Sequence, residues 1–385
     1  MCYKGEEVSY CEEFIVKEEK NRRSLSWNWP LNVMDYDQST QHIFAQVFEF
    51  AQEGICITNA QGDIIYVNPA FTKTTGFTLE EALGKNPRIL KSGRHSYGFY
   101  TQMWRDLTKK GQWQGEIWNK RKNGEIYPEW LNIHAVRDEK AVLTHYVSIF
   151  RDMTDEMLIL KEVQLAGQIQ KNILRSDFSD EHLKMRSIYL PYHHLSGDYY
   201  DYRWDEKNRV LKGFLFDVMG HGVAAALQVT ALRVLFRQVV GRKIPLAEKV
   251  EWVNHEAKSI LPEDSFAAAI FFDIDIGQGK FSYVMAGINH LLYYSSERGQ
   301  PGIRVLSQPG LFLGISEHAE FEEHECSLKA GDGMIFLTDG FYDLVQEKEC
   351  PLQVMTIEST MHWLDSLSTG NELNDDATAL GFICC

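Results

Sequence analysis

The sequence predicts an α+β protein in which two sheet-containing domains are joined by a helix. Its length of 385 residues suggests two or three domains, at about 150 residues per domain. Residues 41–152 contain β-rich runs separated by turn residues and short helical segments. Residues 179–385 contain a second set of apolar strands, several of which end at an aspartate. Strands and helices mixed in this way along two stretches of chain favour the α+β class.

The composition argues against several classes of protein. Lys plus Arg number 39 and Asp plus Glu number 54, a formal net charge of −15, so nucleic acid is not expected as a partner. The chain has no run of about 18 apolar residues and no apolar signal core at its start, so we expect neither a membrane-spanning helix nor export. The seven cysteines are odd in number and include no Cys-x-x-Cys pair, which favours a reduced cytoplasmic protein without disulfides or a zinc site.

The first domain is predicted to follow an N-terminal tail, residues 1–40. This tail has no clear hydrophobic periodicity, and we assign it no function. Residues 55–58 and 64–67 alternate like the two arms of a hairpin, and a short helix follows them and ends at Gly76. Three further β-rich runs occupy residues 115–121, 126–136 and 142–150. Asn123-Gly124 between the first two of these is a strong hairpin signal. We expect a five-stranded antiparallel sheet with helices over one face.

Residues 41–152 resemble a PAS domain. The motifs that carry the resemblance are Asn68-Pro69-Ala70-Phe71, Thr75-Gly76-Phe77, the segment 80–87, Arg121-Lys122-Asn123-Gly124-Glu125 and Arg151-Asp152-Met153-Thr154. They cover about 110 residues and are specific for the fold, but they say less about the signal that is sensed.

The ligand of the PAS-like domain stays open at this point. Light-sensing flavin PAS domains carry a reactive cysteine where this chain has Pro87, so adduct photochemistry is not expected. Flavin-binding redox PAS domains are more similar, through Trp104, Trp113 and Asn119, whose rings and amide could bind the isoalloxazine of FAD. The alternative is that the two tryptophans belong to the core and that Asn119 is an ordinary strand residue.

Residues 153–178 are predicted to form one linker helix. Thr154 can cap its start, and apolar residues recur on one face at spacings of three and four. This stripe comprises Ile159, Val163, Ala166, Ile169 and Ile173. The stripe either packs on its own domain or forms a short dimer helix that transmits the state of the sensor, as the resemblance of the segment to linkers of bacterial signalling phosphatases implies.

Four acidic motifs in residues 179–385 predict a metal site. They are Ser196-Gly197-Asp198-Tyr199-Tyr200-Asp201, Asp217-Val218-Met219-Gly220-His221-Gly222, Thr338-Asp339-Gly340 and Asn374-Asp375-Asp376-Ala377-Thr378. A single aspartate after a strand is usually a turn residue or a helix cap. Several at the ends of adjacent strands can converge on one sheet edge, where they repel one another unless cations neutralise them. Oxygen ligands without His or Cys suit Mg²⁺ or Mn²⁺.

These motifs resemble those of the SpoIIE-like, or RsbU-like, branch of the PPM-type serine/threonine protein phosphatases. The match spans about 200 residues and includes Ala286-Gly287, the segment 309–315 and Leu328-Lys329-Ala330-Gly331-Asp332. The resemblance implies an α-β-β-α sandwich, two stacked antiparallel sheets flanked by helices, with two metals at one end. One departure is Ile288-Asn289-His290 in place of the usual His-x-Pro turn, which puts the shape of the site's rim in doubt.

The resemblance also implies residue roles. Asp217 would bridge two Mn²⁺ or Mg²⁺ ions, and the carbonyl of Val218 would hold one of them. The second ion would be bound by Asp339 and Asp375, with Asp376 as the neighbour most easily confused with Asp375. Asp198 would act through metal-bound water, with Asp201 in support. His221 either donates a proton to the leaving oxygen or organises the turn.

The function implied is that of a bacterial, cytoplasmic protein serine/threonine phosphatase regulated by its PAS domain. Metal-activated water would attack the phosphorus directly. The expected substrate is a phosphorylated STAS-type anti-sigma-factor antagonist, and the expected assembly is a homodimer. Two other classes stay open: a catalytically weak scaffold for partner switching, and a flavin or redox sensor whose C-terminal domain is a passive output.

Overall fold

The chain divides into two compact units between Leu158 and Ile159. The structure, a computed structural model, describes residues 38–296, 302–348, 352–367 and 374–385. The predicted tail therefore lies outside the described residues, apart from residues 38–40. No helix within the described ranges is long and apolar enough to cross a membrane.

The first unit is built on a five-stranded antiparallel sheet, as predicted. Its elements are α1 (Gln38–Phe50), β1 (Gly54–Asn59), β2 (Ile64–Val67), α2 (Pro69–Thr75), α3 (Leu79–Ala82), a 3₁₀ turn (Pro87–Leu90), α4 (Tyr97–Lys110), β3 (Gln112–Lys120), β4 (Ile126–Arg137) and β5 (Leu143–Asp152). The strand order is β2-β1-β5-β4-β3. Asn68 fixes the turn into α2, because its side-chain oxygen accepts hydrogen bonds from the main-chain N–H groups of Ile55 at 2.8 Å and Phe71 at 2.9 Å.

Helix α5 (Thr154–Ile173) begins where the linker helix was expected and ends earlier, at Ile173 instead of residue 178. The cause is a set of hydrogen bonds from tyrosines on the strand of residues Asp198–Asp205. The hydroxyls of Tyr199, Tyr200 and Tyr202 donate hydrogen bonds to the carbonyls of residues 173, 175 and 176. Carbonyls at a helix end need such partners, and here the tyrosines supply them and hold the chain in a non-helical path.

The second unit contains two stacked sheets. Its elements are β6 (Phe178–Ser179), β7 (Leu183–Leu190), β8 (Asp198–Asp205), β9 (Val210–Val218), α6 (Val223–Val239), α7 (Leu246–Ala257), β10 (Ala267–Asp275), β11 (Lys280–Ala286), β12 (His290–Ser295), β13 (Gly302–Ser307), β14 (His324–Ser327), β15 (Gly333–Leu337), α8 (Asp339–Glu347), a 3₁₀ turn (Leu352–Val354), α9 (Ile357–Leu367) and β16 (Ala377–Cys384). The sheet orders are β14-β11-β10-β9-β8 and β13-β12-β15-β16-β7-β6.

Three layers of apolar side chains hold this unit together. One layer lies between the five-stranded sheet and helices α6 and α7, one between the two sheets, and one between the six-stranded sheet and helices α8 and α9. In the middle layer the rings of Phe272 and Phe336 stack at 4.6 Å. A fully buried side chain of this kind stabilises the fold by about 1.5–3 kcal/mol. The predicted α-β-β-α sandwich is confirmed.

Candidate functional site

The predicted acidic motifs meet where strand ends from both sheets come together. Asp198 begins β8 and lies opposite Asp217 in the antiparallel register of β8 with β9. In the other sheet β15 pairs with β16, so that Thr338 after β15 lies beside the start of β16. The hydroxyl of Thr338 donates a hydrogen bond of 2.8 Å to Oδ2 of Asp198, which joins the edges of the two sheets.

The carboxylates of this edge perturb one another. Burial raises the pKa of Asp217 well above its usual value, and three neighbouring carboxylates raise it further. These neighbours are Asp339, Asp375 and Asp376. Burial and the carboxylate of Asp375 likewise raise the pKa of Asp339, whose side chain also shares a hydrogen bond with that of Asp217. The edge therefore concentrates carboxyl groups in a partly desolvated environment.

Asp198 is the most deeply buried member of the group, with 1 % of its surface exposed. Burial and the nearby carboxylate of Asp217 raise its pKa well above the usual value. Its Oδ2 accepts a hydrogen bond from Thr338. Its Oδ1 is buried and has no partner at hydrogen-bond distance among the described residues, although the nearby hydroxyl of Thr378 acts to lower the pKa of this carboxyl. A buried carboxylate oxygen without a partner is costly, and a cation nearby would remove that cost.

Asp375 and Asp376, which the sequence leaves hard to distinguish, have different environments. Both oxygens of Asp376 accept main-chain hydrogen bonds of 2.7 Å, from the N–H groups of Tyr192 and Gly197. The side chain of Asp375 is exposed, and its Oδ1 accepts the N–H of Asp376 at 2.8 Å. Asp376 thus holds the loop of residues 192–197 in place, and Asp375 is more accessible to a ligand.

The turn after β9 brings its main chain close to this edge. The N–H of Val218 donates to the carbonyl of Gly197 at 3.2 Å, and a Cβ at Gly197 would lie 2.8 Å from the carbonyl oxygen of Val218. Gly220 and Gly222 adopt positive φ angles of 87° and 82°, which favour glycine. Gly197 therefore lets the main chain of the Asp217 motif come close to the start of β8, whereas Gly220 and Gly222 allow the turn itself.

His221 is exposed and lies beside two residues that the sequence analysis did not select. Its ring centroid is 5.3 Å from that of His193 and 6.0 Å from that of Tyr192. Both follow β7 in the short run Tyr192-His193-His194. This cluster of ring side chains is the sequence feature that could have marked them as candidates for the site. Two imidazoles and a phenol therefore flank the turn next to the acidic edge.

Asp201 does not support Asp198, and that expectation is wrong. The two residues are three positions apart on β8, so their side chains point to opposite faces of the sheet. Asp201 is buried and accepts from Arg175 at 3.1 Å, Arg233 at 3.2 Å and Arg237 at 2.9 Å. Arg233 and Arg237 are thus ion-paired, and this aspartate ties α6 to the segment after α5.

The turn of residues 286–290, which departs from the family pattern, is stabilised by its own residues. The side-chain oxygen of Asn289 accepts the N–H of Gly310 at 3.0 Å. The ring of His290 stacks on that of Tyr342 at 4.2 Å. Gly287 has φ of 99°, and a Cβ there would lie 2.4 Å from the Phe312 ring. The altered turn is therefore packed against neighbouring segments of the chain.

No group of three or more His, Cys, Asp or Glu side chains in the described part of the chain has a geometry that could by itself hold a metal ion. The mutual effects on pKa nevertheless place the carboxylates within electrostatic reach of one another. Asp198 and Asp217 also lie opposite each other in the strand register, and the side chains of Asp217 and Asp339 share a hydrogen bond. The donor set of carboxylates and one carbonyl fits hard divalent cations.

The first unit contains a separate cavity of about 580 Å³. Trp104 and Asn119, two of the three predicted cofactor-binding residues, line it. Trp113 is not among the described residues that line the cavity, and its ring packs edge-on against Phe99 at 6.0 Å. The cavity wall also includes Glu129, which the sequence analysis missed.

Glu129 is a buried acid held by two donors. The side-chain amide of Asn119 donates to its Oε1 at 2.8 Å, and the hydroxyl of Tyr127 donates to its Oε2 at 2.7 Å. Burial raises the pKa of Glu129 to about 7, although both hydrogen bonds act to lower it. This carboxyl therefore changes its charge near neutral pH.

Comparison with known proteins agrees with both resemblances. Residues 210–381 match the family model of stage II sporulation protein E (SpoIIE), and residues 52–155 match that of the PAS domain. The chain therefore carries a PAS domain followed by a SpoIIE-like domain of the PPM phosphatase type, as the motifs predict.

The relatives match parts of the chain. The nitrogen fixation regulatory protein of Klebsiella oxytoca is 35 % identical over 112 residues, covering 29 % of this chain and 23 % of the relative. Phosphoserine phosphatase RsbP of Bacillus subtilis is 28 % identical over 187 residues, covering 48 % and 45 %. This chain thus spans less than half the length of either relative. Among solved structures, the SiaA-PP2C domain of Pseudomonas aeruginosa is 20 % identical with a TM-score of 0.46, covering 60 % of this chain and 99 % of that one.

Proposed function

We propose that this protein is a metal-dependent protein serine/threonine phosphatase regulated by its PAS domain. The observation that carries the proposal is the edge where Asp198 lies opposite Asp217 in the strand register and Asp217 shares a hydrogen bond with Asp339. Asp217 raises the pKa of Asp198, and Asp339 raises the pKa of Asp217. Such a concentration of acids costs stability, and catalysis by bound cations is the function that accounts for it. The relative RsbP, named a phosphoserine phosphatase, supports the same activity.

The proposed ligands are those inferred from the sequence. Asp217 and the carbonyl of Val218 would hold one Mn²⁺ or Mg²⁺ ion, and Asp339 with Asp375 would complete a second site together with Asp217. The exposure of Asp375 and the engagement of both oxygens of Asp376 favour Asp375 as the ligand and Asp376 as its support. When bound, the two ions supply water activation and neutralise charge on the phosphoryl oxygens.

Other residues of the chain would position and protonate the reactants. Asp198, fixed by Thr338, directs its buried unpartnered oxygen as an acceptor for water at the edge. His221 is exposed beside the edge and would donate a proton to the leaving serine or threonine oxygen. Water attacks the phosphorus directly, so no cysteine is needed as a nucleophile.

The proposed substrate is a phosphoserine or phosphothreonine protein, specifically a STAS-type anti-sigma-factor antagonist in the bacterial cytoplasm. The family resemblance and the RsbP relative support this choice. In this proposal residues 41–152 form the sensor, residues 153–178 the linker and residues 179–385 the catalytic domain. A homodimer would form through α5, where Ile159 and Ile169 are 62 % and 55 % exposed. Its apolar stripe thus offers a surface for a second copy.

The proposed PAS ligand is a flavin, FAD, in the cavity lined by Trp104 and Asn119. An aromatic ring and a polar wall are the features such a planar, polar-edged ligand uses. Absorbance of the purified protein tests this assignment: flavin bands that disappear on denaturation and extraction support it. A colourless protein that takes up no added FAD contradicts it.

The test of the enzyme is Mn²⁺-dependent release of phosphate from a phosphorylated STAS protein by the full chain. Asp217→Asn and Asp339→Asn should each abolish it. The matched control is Asp365→Asn, which replaces the same residue type in a surface ion pair with Arg186 at 2.8 Å. Binding of the STAS protein without any phosphate release would instead favour the partner-switching scaffold.

A further inference from the structure

Tyr189 is a tyrosine of β7 that the proposed mechanism does not use. In the antiparallel register of β7 with β16 it lies directly opposite Thr378. Residues directly opposite each other in such a pair share one face of the sheet. For Tyr189 this is the inner face, because its side chain packs against the apolar layer between the two sheets. Tyr189 therefore faces the five-stranded sheet, which carries Asp198.

The phenol of Tyr189 lies close to groups of the acidic edge. Burial raises the pKa of Tyr189 above its usual value, and the carboxylates of Asp198 and Asp376 raise it further. The hydroxyl of Ser196, in the loop before β8, acts to lower it. Interactions between charged groups weaken with distance, so the phenol is a near neighbour of both acids.

Three buried polar atoms of this region have no partner at hydrogen-bond distance among the described residues. They are the hydroxyl oxygens of Tyr189 and Thr378 and the Oδ1 atom of Asp198. A hydroxyl can donate, whereas an ionised carboxylate can only accept, so the set contains both halves of a hydrogen bond. Buried polar atoms without partners cost folding free energy, and a bond between hydroxyl and carboxylate would remove that cost.

The other oxygen of Asp198 is already held. Its Oδ2 accepts a hydrogen bond from Thr338, whose hydroxyl in turn accepts the N–H of Thr378 at 2.8 Å. A single hydrogen bond fixes one oxygen and leaves the plane of the carboxylate able to turn about it. A second donor, at Oδ1, would fix the plane.

The hydroxyl of Tyr189 needs an explanation of its own. A phenylalanine would fill the same place in the apolar layer, and a buried tyrosine hydroxyl usually has a hydrogen-bond partner. The nearest acids are Asp198 and Asp376, and both oxygens of Asp376 already accept main-chain N–H groups. Oδ1 of Asp198 is therefore the acceptor that suits this donor.

We infer that Tyr189 is a positioning residue for Asp198: when cations bind at the edge, its hydroxyl donates a hydrogen bond to Oδ1 and fixes the plane of the carboxylate. The inference rests on the proposed function and deepens it, because it names the group that orients the acid proposed to accept water. A carboxylate oxygen can accept more than one hydrogen bond, so Oδ1 can serve Tyr189 and water together. Supporting groups of this kind commonly change metal affinity by about tenfold or more when removed.

The test uses the full chain with Tyr189→Phe, which keeps the ring and removes the hydroxyl. Tyr293→Phe is the matched control, since the hydroxyl of Tyr293 donates to Oδ2 of Asp332 at 3.1 Å. Asp332 lies at the end of β15 opposite to Thr338. Calorimetric titration with MnCl₂ should show affinity weakened about tenfold in Tyr189→Phe and unchanged in Tyr293→Phe. Hydrolysis of p-nitrophenyl phosphate by Tyr189→Phe should show a lower kcat with little change in KM.

Thermal unfolding in EDTA should give the reverse order. Tyr189→Phe should melt at or above the wild-type temperature, because its hydroxyl has no partner in the metal-free protein. Tyr293→Phe should melt lower, because it loses an existing hydrogen bond. A merely structural role for Tyr189 would lower the melting temperature of its variant as well. A Tyr189→Phe chain that melts lower or fails to fold without metal would therefore overturn the inference.

A double variant tests whether Tyr189 acts through Asp198. Tyr189→Phe should cause no further loss of Mn²⁺ affinity in an Asp198→Ala chain, because the acceptor is gone. An equal loss with and without Asp198 would overturn the inference, and so would wild-type affinity in Tyr189→Phe with a loss in Thr378→Val, which would assign the donor to Thr378. These results leave the phosphatase proposal intact. A wild-type chain that binds no Mn²⁺ and hydrolyses nothing would overturn both.

Discussion

Each unit of the chain buries carboxyl groups, and their neighbours differ. In the PAS domain Glu129 accepts hydrogen bonds from the amide of Asn119 and the hydroxyl of Tyr127, and burial is the main cause that raises its pKa to about 7, with a smaller contribution from the carboxylate of Asp152. In the SpoIIE-like domain Asp217 is surrounded by other acids, which add to the effect of burial. A proton can neutralise the first group near pH 7. The second group concentrates several charges, which a multivalent cation neutralises more effectively.

Asp201 provides a third case within the SpoIIE-like domain. It is as buried as Asp198, but three guanidinium groups surround it. Burial alone therefore does not distinguish a structural acid from one proposed to bind a ligand. The sign of the neighbouring charges does. By this criterion Asp201 is a structural acid, and Asp217 and Asp339 are the acids proposed to bind cations.

The largest effect is expected for Asp217→Asn. Activity with Mn²⁺ should fall about a thousandfold or more, because the proposed bridging ligand is lost. In chelator, however, the melting temperature should rise, since one of several mutually repelling carboxylates is removed. Assays with Mn²⁺ and thermal unfolding in EDTA measure the two quantities. A fall in melting temperature without metal would contradict the view that these acids repel one another.

Asp201→Asn should have the opposite effect on stability and a smaller one on chemistry. Removal of a buried charge from among three arginines should cost about 3 kcal/mol of unfolding free energy, with or without Mn²⁺. Urea unfolding of the full chain, followed with and without metal, measures this cost. A variant that is stable but inactive would show that Asp201 belongs to the site after all.

The acidic edge could be predicted from the sequence because its residues carry a local signal. Asp198 and Asp339 each stand beside a glycine, and Asp217 comes at the end of an apolar strand three residues before Gly220, so these signals are visible without a structure. Chain topology then brings strand ends together. The choice between Asp375 and Asp376 could not be made in this way, because it depends on which of them accepts the N–H groups of a loop that lies 184 and 179 residues away in sequence.

Glu129 was missed for a different physical reason. Glu129 stands in a strand beside a half-exposed Trp130, so the alternation of the strand does not show which side faces the interior. Its side chain is buried because of hydrogen bonds to partners that periodicity does not encode.

Glu129→Gln tests the PAS side of the comparison through pH. The pKa of Glu129 is raised from 4.5 to about 7 on folding, so the folded state binds the extra proton between these values. Stability that this proton contributes at low pH is lost as pH rises through 7, by roughly 2 kcal/mol between pH 5 and 8. Glutamine has no such dependence. The variant should therefore gain stability relative to wild type as pH rises.

Hydrogen exchange of the amides of β3 and β4 in the full chain, with variant and wild type compared at each pH, measures this difference. Glu116→Gln is the matched control, because Glu116 is exposed on β3 and should show no trend. A difference between Glu129→Gln and wild type that stays constant from pH 5 to 8 would mean that Glu129 keeps one charge state throughout this range.

The smallest effect is expected where an ion pair is exposed. Arg186 and Asp365 lie 2.8 Å apart with side chains 46 % and 47 % exposed, whereas Asp201 is 2 % exposed among its arginines. Water competes with the exposed pair, and holding the long Arg186 side chain in one position costs entropy. Arg186→Met should therefore change the unfolding free energy by about 0.5 kcal/mol or less. Urea unfolding of Arg186→Met and Asp201→Asn under the same conditions measures the two losses of unfolding free energy. Equal costs for the two variants would show that burial of the acid, in this fold, adds nothing to the strength of its ion pairs.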